Sequence, residues 1–478
     1  MPVSQISVLS PSPESAWERL EKFLHERRST SVPVDDPESF ERQLHTLFTA
    51  AEAEVMGEEL AKFDLDAPVV EIDGVPHRRV LRSTETYMTS AGPVRIERSL
   101  YSTRQEGERA VCPLELRAGV VEGFWTPRAA QQATWMVTHL TPQEAEEGLA
   151  RMGGMQPSRS ILDRLPKQLS ERWEVQRQEF ETRLRAAETI PDEAASVAVS
   201  LDGVMVPMKD GQRQEKRRQA AEEGKHQRGP AGHREAGCAT LTFYDEDGDR
   251  LRTVRMGRMP EPKKASLKSM LAEELKAVLR QRPDLELVKL ADGARDNWTY
   301  LGEGLLGEGL RGGKELVDFF HAAEQLHAGL AAAYGETSSE CQSQFAKLRH
   351  VLRHEIGGVK KVIRALVHLR DEHRRSRKIA RVLGYFRRNR HRMAYAELAF
   401  EGLPIGSGVT EAACKTLVTQ RMKRSGMRWR HDGGQAILTL RALAQSERFD
   451  RGWALLRATY KHEVTLPAKV IALPRRLT

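Results

Sequence analysis

Val197-Ala-Val-Ser-Leu-Asp202 is the stretch on which the reading of this chain turns. Its first five residues are apolar or small and rich in β-branched side chains, a strand signal, and the run closes on a carboxylate. Working outward, Leu285-Glu-Leu-Val-Lys-Leu-Ala-Asp292 repeats the pattern: an apolar run ending on an acid. A third acid, Glu411, follows Gly406-Ser-Gly408 at the start of a segment that reads as a helix. Carboxylates at two strand ends and on a later helix can converge on one spot. Hard, strongly hydrated Mg²⁺ favours carboxylate oxygens with room left for substrate phosphates. Two such ions stabilise the attacking and leaving oxygens of an in-line phosphoryl displacement. The pattern therefore points to chemistry on nucleic-acid phosphodiesters.

Composition agrees with a polyanionic partner. The chain has 478 residues, 75 Lys and Arg against 67 Asp and Glu, a formal net charge of +8 and a sequence pI near 9.3. A chain this long is expected to hold several domains. Its basic residues are clustered, which favours nucleic acid, although an anionic membrane surface would attract the same charge. No apolar stretch approaches the ~20 residues that span a bilayer. The first residues, Met1-Pro-Val-Ser-Gln-Ile-Ser7, do not read as a secretory signal. Cys112, Cys238, Cys341 and Cys414 lie far apart, so a zinc site or disulfide framework is not expected and a reducing cytosol is.

Along the chain, residues 13–64 read as helices, with Ser39 as the cap of one whose apolar face includes Phe40, Leu44, Phe48 and Val55. From Val69 to about Thr103 the period shortens to two, and Asp73-Gly74 and Ala91-Gly92-Pro93 mark turns of a small antiparallel unit. Helix returns over 127–190. Thr141-Pro-Gln-Glu144 fits a capping box, Gly153-Gly154 breaks the helix, and Ser158 can start another carrying Arg159, Arg164 and Lys167. That outline fits a helix-turn-helix reader of the major groove, and equally an ordinary helical hairpin. The basic stretch with Arg217 and Arg218 reads as an exposed loop or arm. Strands are expected at Ala239–Tyr244 and Leu251–Met256, a helix over Lys264–Arg280, and a strand ending at Phe319–Phe320. Residues 322–402 read as helix with polar faces dense in one sign of charge, including Arg374, Arg375, Arg377 and Lys378. Charge runs are usually solvated faces, but single-signed ones repel themselves unless an anion answers them.

Three motifs, in order, carry a family resemblance: Ser200-Leu-Asp-Gly-Val-Met-Val-Pro-Met208, Ala291-Asp-Gly-Ala-Arg-Asp-Asn-Trp298 and Gly406-Ser-Gly-Val-Thr-Glu-Ala-Ala-Cys-Lys415, joined by Asp318-Phe-Phe-His321. They resemble those of DDE transposases, in particular the Kra-four type of bacterial insertion-sequence transposase, over about Ser196 to Trp429. The resemblance implies an α/β fold with an RNase H-like mixed five-stranded sheet, interrupted by an all-α insertion and preceded by a mainly helical region with a small β unit. The corresponding parts are an N-terminal region (1–125), a helix-turn-helix-like region (126–190), a first catalytic part (191–321), a basic helical insertion (322–402), a second catalytic part bearing the Glu helix (403–446) and a tail (447–478).

The resemblance further implies a transposase that binds insertion-sequence ends, cleaves them and joins 3′ ends to target DNA. Asp202, Asp292 and Glu411 would be catalytic and hold two Mg²⁺ ions per site, with Mn²⁺ able to substitute. Asp296 and Glu401 are weaker rivals, Asp296 as a helix cap. Asp318 and His321 resemble a Cys/Asp-x-x-His signature of several such families, with an ordering role beside the site or a contact to the DNA end. Lys415, one turn beyond Glu411, would pair with it or reach a phosphate. Trp298, Arg421, Lys423, Arg424, Arg428 and Trp429 combine cations with aromatic surface that could stack bases, core packing being the alternative for the tryptophans. The expected partners are double-stranded DNA, as terminal inverted repeats and target, and further copies of the chain, a homodimer or higher, on that DNA. Neither a membrane nor a nucleotide cofactor is expected, and the location is bacterial, cytoplasmic and nucleoid-associated. A structure-selective nuclease or resolvase on the same fold, or a domesticated DNA-binding regulator, are the alternatives.

Overall fold

The structure is a computed structural model that describes residues 14–103, 107–209, 211–225, 232–373 and 376–467. It divides into two compact units, Met1–Trp173 with Asp450–Thr478, and Glu174–Phe449.

The first unit opens with helices α1 (Ala16–Arg28) and α2 (Pro37–Ala61). Asp36, not Ser39, caps α2: its side chain accepts from the Glu38 amide at 3.1 Å, and Pro37 takes the first helical position, where no N–H is needed. Phe48 and Val55, expected on a core face, are exposed. Strands β1 (Val69–Ile72), β2 (Val75–Thr89) and β3 (Gly92–Ser102) follow as an antiparallel sheet. The β1–β2 turn uses Asp73 and Gly74, both at positive φ, as a two-residue hairpin with right-handed strand twist requires. Helices α3 (Pro113–Ala118), α4 (Pro127–His139), α5 (Pro142–Met152) and α6 (Arg159–Val175) complete this stretch. The Thr141–Glu144 capping box forms at the start of α5, and Gly153 and Gly154, at positive φ, separate α5 from α6.

The second unit is built on a five-stranded mixed sheet. After α7 (Arg177–Ala186) come β4 (Ser196–Pro207), α8 (Gly211–Glu222), β5 (His233–Tyr244), β6 (Arg250–Arg258), α9 (Ala265–Gln281), β7 (Glu286–Ala291), α10 (Arg295–Thr299), α11 (Leu305–Gly307) and β8 (Lys314–Val317). The spatial order is β6-β5-β4-β7-β8; β4–β5 and β5–β6 are antiparallel, β4–β7 and β7–β8 parallel. Central β4 is buried over its first six residues and β7 over its last five, the near-continuous apolar pattern of strands covered on both faces. This mixed α/β architecture is compatible with an RNase H-like fold.

Three expectations need correction. Asp202 does not end its strand, since β4 stays paired with β5 as far as Pro207↔His233; the apolar run stops where burial stops, not where the ladder stops. The stretch containing Arg217 and Arg218 is helical, α8: lacking an apolar face, it hid a run of good helix formers between Gly211 and Gly224. Phe319 and Phe320 begin a helix rather than end a strand, because Asp318 caps it by accepting from the His321 amide at 2.8 Å.

The helical layer comprises α12 (Phe319–Tyr334), α13 (Ser339–His354), α14 (Gly358–Glu372), α15 (Arg377–Asn389) and α16 (Tyr395–Phe400). Leu326, Leu352, Leu366, Val382 and Phe386 share one core with Val197, Val288 and Leu316 of the sheet, so this layer and the sheet are packed together. Ile356, which falls at a helical spacing from Leu352 and Val359, is exposed where a turn separates α13 from α14. Then come α17 (Gly408–Ala413), a π-helical turn over Cys414–Thr419, α18 (Gln420–Met422) and α19 (His431–Gln445). The chain returns to the first unit through α20 (Phe449–Ala458) and β9 (Val464–Thr465), which pairs with β1.

Candidate functional site

The site grows out of strand register. Ser200 lies opposite Leu290 across β4–β7, and Ala291 opposite Val317 across β7–β8. Continuing the same register brings Asp202, Asp292 and Asp318 level on three neighbouring strands or just past their ends. The Asp318 amide donates to the Ala291 carbonyl at 2.8 Å, which extends the ladder to that level.

Each carboxylate is held differently. Asp202, half-buried, accepts from the Gly203 amide at 2.7 Å through Oδ1 and from the Cys414 thiol at 3.8 Å through Oδ2. Asp292 makes an Asx turn: Oδ1 accepts from the Ala294 amide at 3.1 Å and the Asn297 side-chain amide at 3.0 Å. Asp296, expected as a cap, instead lies within the first turn of α10. Asp318 is fully buried and both its oxygens accept backbone N–H groups, from His321 and from Ser407. It thereby ties the start of α12 to the Gly406-Ser-Gly loop that launches α17.

Glu411 sits in the first turn of α17, half exposed. A buried hydroxyl pair, Thr240 and Thr410 at 2.7 Å, fixes that helix to β5. His321 Nε2 is 3.5 Å from Glu411 Oε1, and its Nδ1 is 3.5 Å from Glu324 Oε2. Glu411 pairs with this imidazole rather than with Lys415, which is exposed. Burial first, then the negative charges of Asp318, Glu324 and Asp202, push the Glu411 carboxyl up, with His321 opposing. Among the described residues, Asp318, His321 and Glu411 bring donor atoms within 4.8 Å of one another; Asp202 and Asp292 are not in that group.

The turn after Glu411 is unusual. The backbone over Cys414–Thr419 is π-helical, a local widening frequent at functional sites. Buried Arg441 of α19 donates to the Thr416 carbonyl and, at 3.0 Å, to the Leu417 carbonyl. Its guanidinium satisfies carbonyls that the widened turn exposes. Burial lowers the Arg441 pKa to about 10, with Arg424 adding repulsion. Cys414, Asn297 and Arg441 are supporting residues that the motifs did not single out.

The expected DNA contacts divide. Trp298 is 5 % exposed and belongs to the core; its indole donates to the Asp292 carbonyl at 2.7 Å and carries the Arg392 guanidinium 4.1 Å above the ring. It supports Asp292 and offers no open stacking face. Arg421 is also buried, 5.4 Å over the Trp429 ring. Trp429 is half-buried; its indole donates to the Met422 carbonyl at 2.9 Å and its backbone bridges to Met208 beyond β4. Lys423 and Arg428 are exposed, and Arg424 donates to the Gln420 carbonyl at 3.1 Å. Arg377 and Lys378 are exposed in the first turn of α15, where cations oppose the helix dipole; Arg374 and Arg375 lie outside the described residues. Arg218 faces Glu222 at 3.7 Å on α8, beside Arg217. In the first unit, Arg159 and Arg164 are exposed on α6, while Lys167 pairs with Asp163. Glu401, the rival to Glu411, pairs with Lys314 on β8.

Comparison with known proteins gives little. No family model matches the chain, and no curated protein does. Among solved structures, the chain is similar to one in the Drosophila P element transposase strand transfer complex, at 12% identity and a TM-score of 0.24, covering 75% of this chain and 83% of that one. A TM-score of that size is too small for the likeness to say anything about mechanism. No described helix is long and apolar enough to cross a membrane.

Proposed function

We propose that this chain is a DNA transposase of the DDE type, acting on phosphodiesters through Asp202, Asp292 and Glu411. The observation that supports the reading is that the register of β4 and β7, continued past their last pairs, sets Asp202 and Asp292 at one level, with Glu411 of α17 near enough to Asp202 to feel its charge. The donor set suits Mg²⁺ or Mn²⁺: it is all carboxylate oxygen, and the hydrogen bonds to Asp292 fall on Oδ1, leaving Oδ2 for a ligand. Burial, and after it the charges of Asp318, Glu324 and Asp202, raises the Glu411 carboxyl, and a cation there would favour its ionised form. Bound there, two ions would lower the pKa of the attacking hydroxyl and stabilise the leaving 3′-oxygen.

The chain's own residues do the rest. Asn297 and the Ala294 amide hold Asp292 in one orientation, and the Cys414 thiol and Gly203 amide hold Asp202. His321 steadies Glu411. Exposed cations of α15 bind the phosphate backbone near the site. Arg159 and Arg164 of α6 read the element ends, and a homodimer or larger assembly on DNA brings two ends together.

The test is cleavage and joining, with Mg²⁺, of a supercoiled plasmid carrying the chromosomal segments that flank the coding sequence. Asp202→Ala, Asp292→Ala and Glu411→Ala are each expected to abolish cleavage while DNA binding stays intact. Cleavage by the Asp292→Ala protein at the wild-type rate would refute the assignment. A second reading, a metal centre on Asp318, His321 and Glu411, is favoured by their close grouping, but both oxygens of Asp318 already serve backbone amides. It predicts that Asp292→Ala retains activity. Cleaved but unjoined DNA would instead mark a structure-selective nuclease, and binding without cleavage a DNA-binding regulator.

A further inference from the structure

The third turn of α15 brings an aromatic residue into the acidic site. Tyr385 lies beside Gly293, the residue after Asp292, so closely that a Cβ at 293 would fall 2.1 Å from Cε2 of the ring. Only glycine leaves room for the phenol there. The Tyr385 hydroxyl oxygen is buried and has no hydrogen-bond partner among the described residues, although three carboxylates, Asp292, Asp318 and Glu324, lie near enough to act on it electrostatically. A phenol keeps its proton at neutral pH, so the hydroxyl is a donor. A buried donor left unsatisfied costs stability and is normally found paired. Left unpaired beside so many acceptors, it is available to a group that enters the site.

The surroundings of Tyr385 indicate what that group is. Lys378, Arg381, Tyr385 and Arg388 recur at spacings of three and four, so they form one stripe along α15, and its three cations are exposed. The opposite stripe, Ile379, Val382, Leu383 and Phe386, is buried in the core. A polyanionic strand following the cations would pass over Tyr385, where the neutral phenol replaces a cation beside Gly293, the residue after Asp292. We propose that Tyr385 is a catalytic residue, contributed by the helical layer, whose hydroxyl donates a hydrogen bond to a non-bridging oxygen of the scissile phosphodiester. This rests on the reading of the site as a phosphodiester centre.

Tyr385→Phe keeps the ring against Gly293 and removes only the donor. With the plasmid substrate and Mg²⁺, the turnover rate at saturating DNA is expected to fall about 10²-fold, the size of effect seen when one preorganised donor to a developing charge is lost. The DNA concentration for half-saturation and the melting temperature should stay at their wild-type values. A Tyr385→Phe turnover equal to wild type overturns the proposal. An inactive wild-type protein would refute the phosphodiester reading itself, before any variant is compared. Fluorine NMR gives a readout independent of turnover and of whether the variant folds. In full-length protein carrying 3-fluorotyrosine, with Ca²⁺ in place of Mg²⁺ to prevent cleavage, the residue 385 resonance should move when a DNA duplex is added. An unmoved resonance in a protein that binds the duplex also overturns the proposal.

Discussion

Glu411 is where the charge state of the site is most exposed to control. Its carboxyl is raised by burial and by the acids around it, so the folded protein holds its proton more firmly than an unfolded chain would. A raised folded pKa contributes stability that is present at low pH and lost as pH rises through the raised value. Without divalent cation, the melting temperature is therefore expected to decline across the range just above ordinary glutamate titration, and Glu411→Gln should remove that part of the decline. Mg²⁺ should restore stability above that range, because a ligand of the native state alone stabilises it. Calorimetry with and without Mg²⁺ at several pH values checks this; a melting temperature indifferent to Mg²⁺ at mildly alkaline pH would count against a metal at Glu411. That Asp202 and Asp292 follow apolar runs and Glu411 follows a glycine turn was legible in sequence. Their supports were not. Trp298 turning inward to the Asp292 carbonyl, or Arg441 reaching the turn after Glu411, are contacts between distant segments that no local pattern displays.

At the scale of the element, α15 separates its two faces most clearly: one stripe packs into the core, and Arg377, Lys378, Arg381, Arg387 and Arg388 lie exposed on the other side. Placing Arg377 and Lys378 at the helix start costs stability through the dipole, a cost that an anion bound there would offset. Replacing Arg377, Lys378, Arg381 and Arg388 together with Gln should weaken DNA binding and lower the slope of log affinity against log salt, by about 0.9 for each duplex phosphate that is no longer neutralised. An unchanged slope, measured by fluorescence anisotropy over a salt series, would show a solvated face and nothing more. The amphipathic spacing of this helix was plain in the sequence. The helix α8 was not, since its sequence carries no apolar stripe and left only propensity to find it.

Across the molecule, the second unit is locked by a charge network that composition conceals. Arg448, after α19, donates to Glu188 at 2.7 Å and to Glu274 of α9 at 2.7 and 3.0 Å, and all three are buried. Arg252 of β6 adds a contact to Glu188 at 2.6 Å. Arg448→Met takes the cation from buried Glu274 and leaves Glu188 with Arg252, and removing one member of a buried pair costs about 3–5 kcal/mol. Urea unfolding of this variant should show a loss of that order, and a change under about 1 kcal/mol would mean the carboxylates find other partners or take up protons. Sequence reading favours elements over such networks: it found the alternation of strands and helices around the sheet, while pairings between residues far apart in the chain, such as Glu188 with Arg448, carry no periodic signal. The same holds for the partition of the molecule. The tail after residue 447 carried no pattern linking it to the small β unit, yet β9 pairs with β1 through Glu71↔Thr465 and Ile72↔Val464.

That pairing sets an order of events on the ribosome. The strand closing the first sheet is made after every residue of the second unit, so the usual sequence of vectorial folding is reversed. The second unit, Glu174–Phe449, can close while the first still waits for its last strand. During that interval β1 presents an unpaired edge, the kind of surface that recruits strands from other chains. A chain ending between Phe449 and Val464 would hold the whole of the second unit but not the strand that pairs with β1. The first unit therefore completes its sheet only once Val464 and Thr465 have been made.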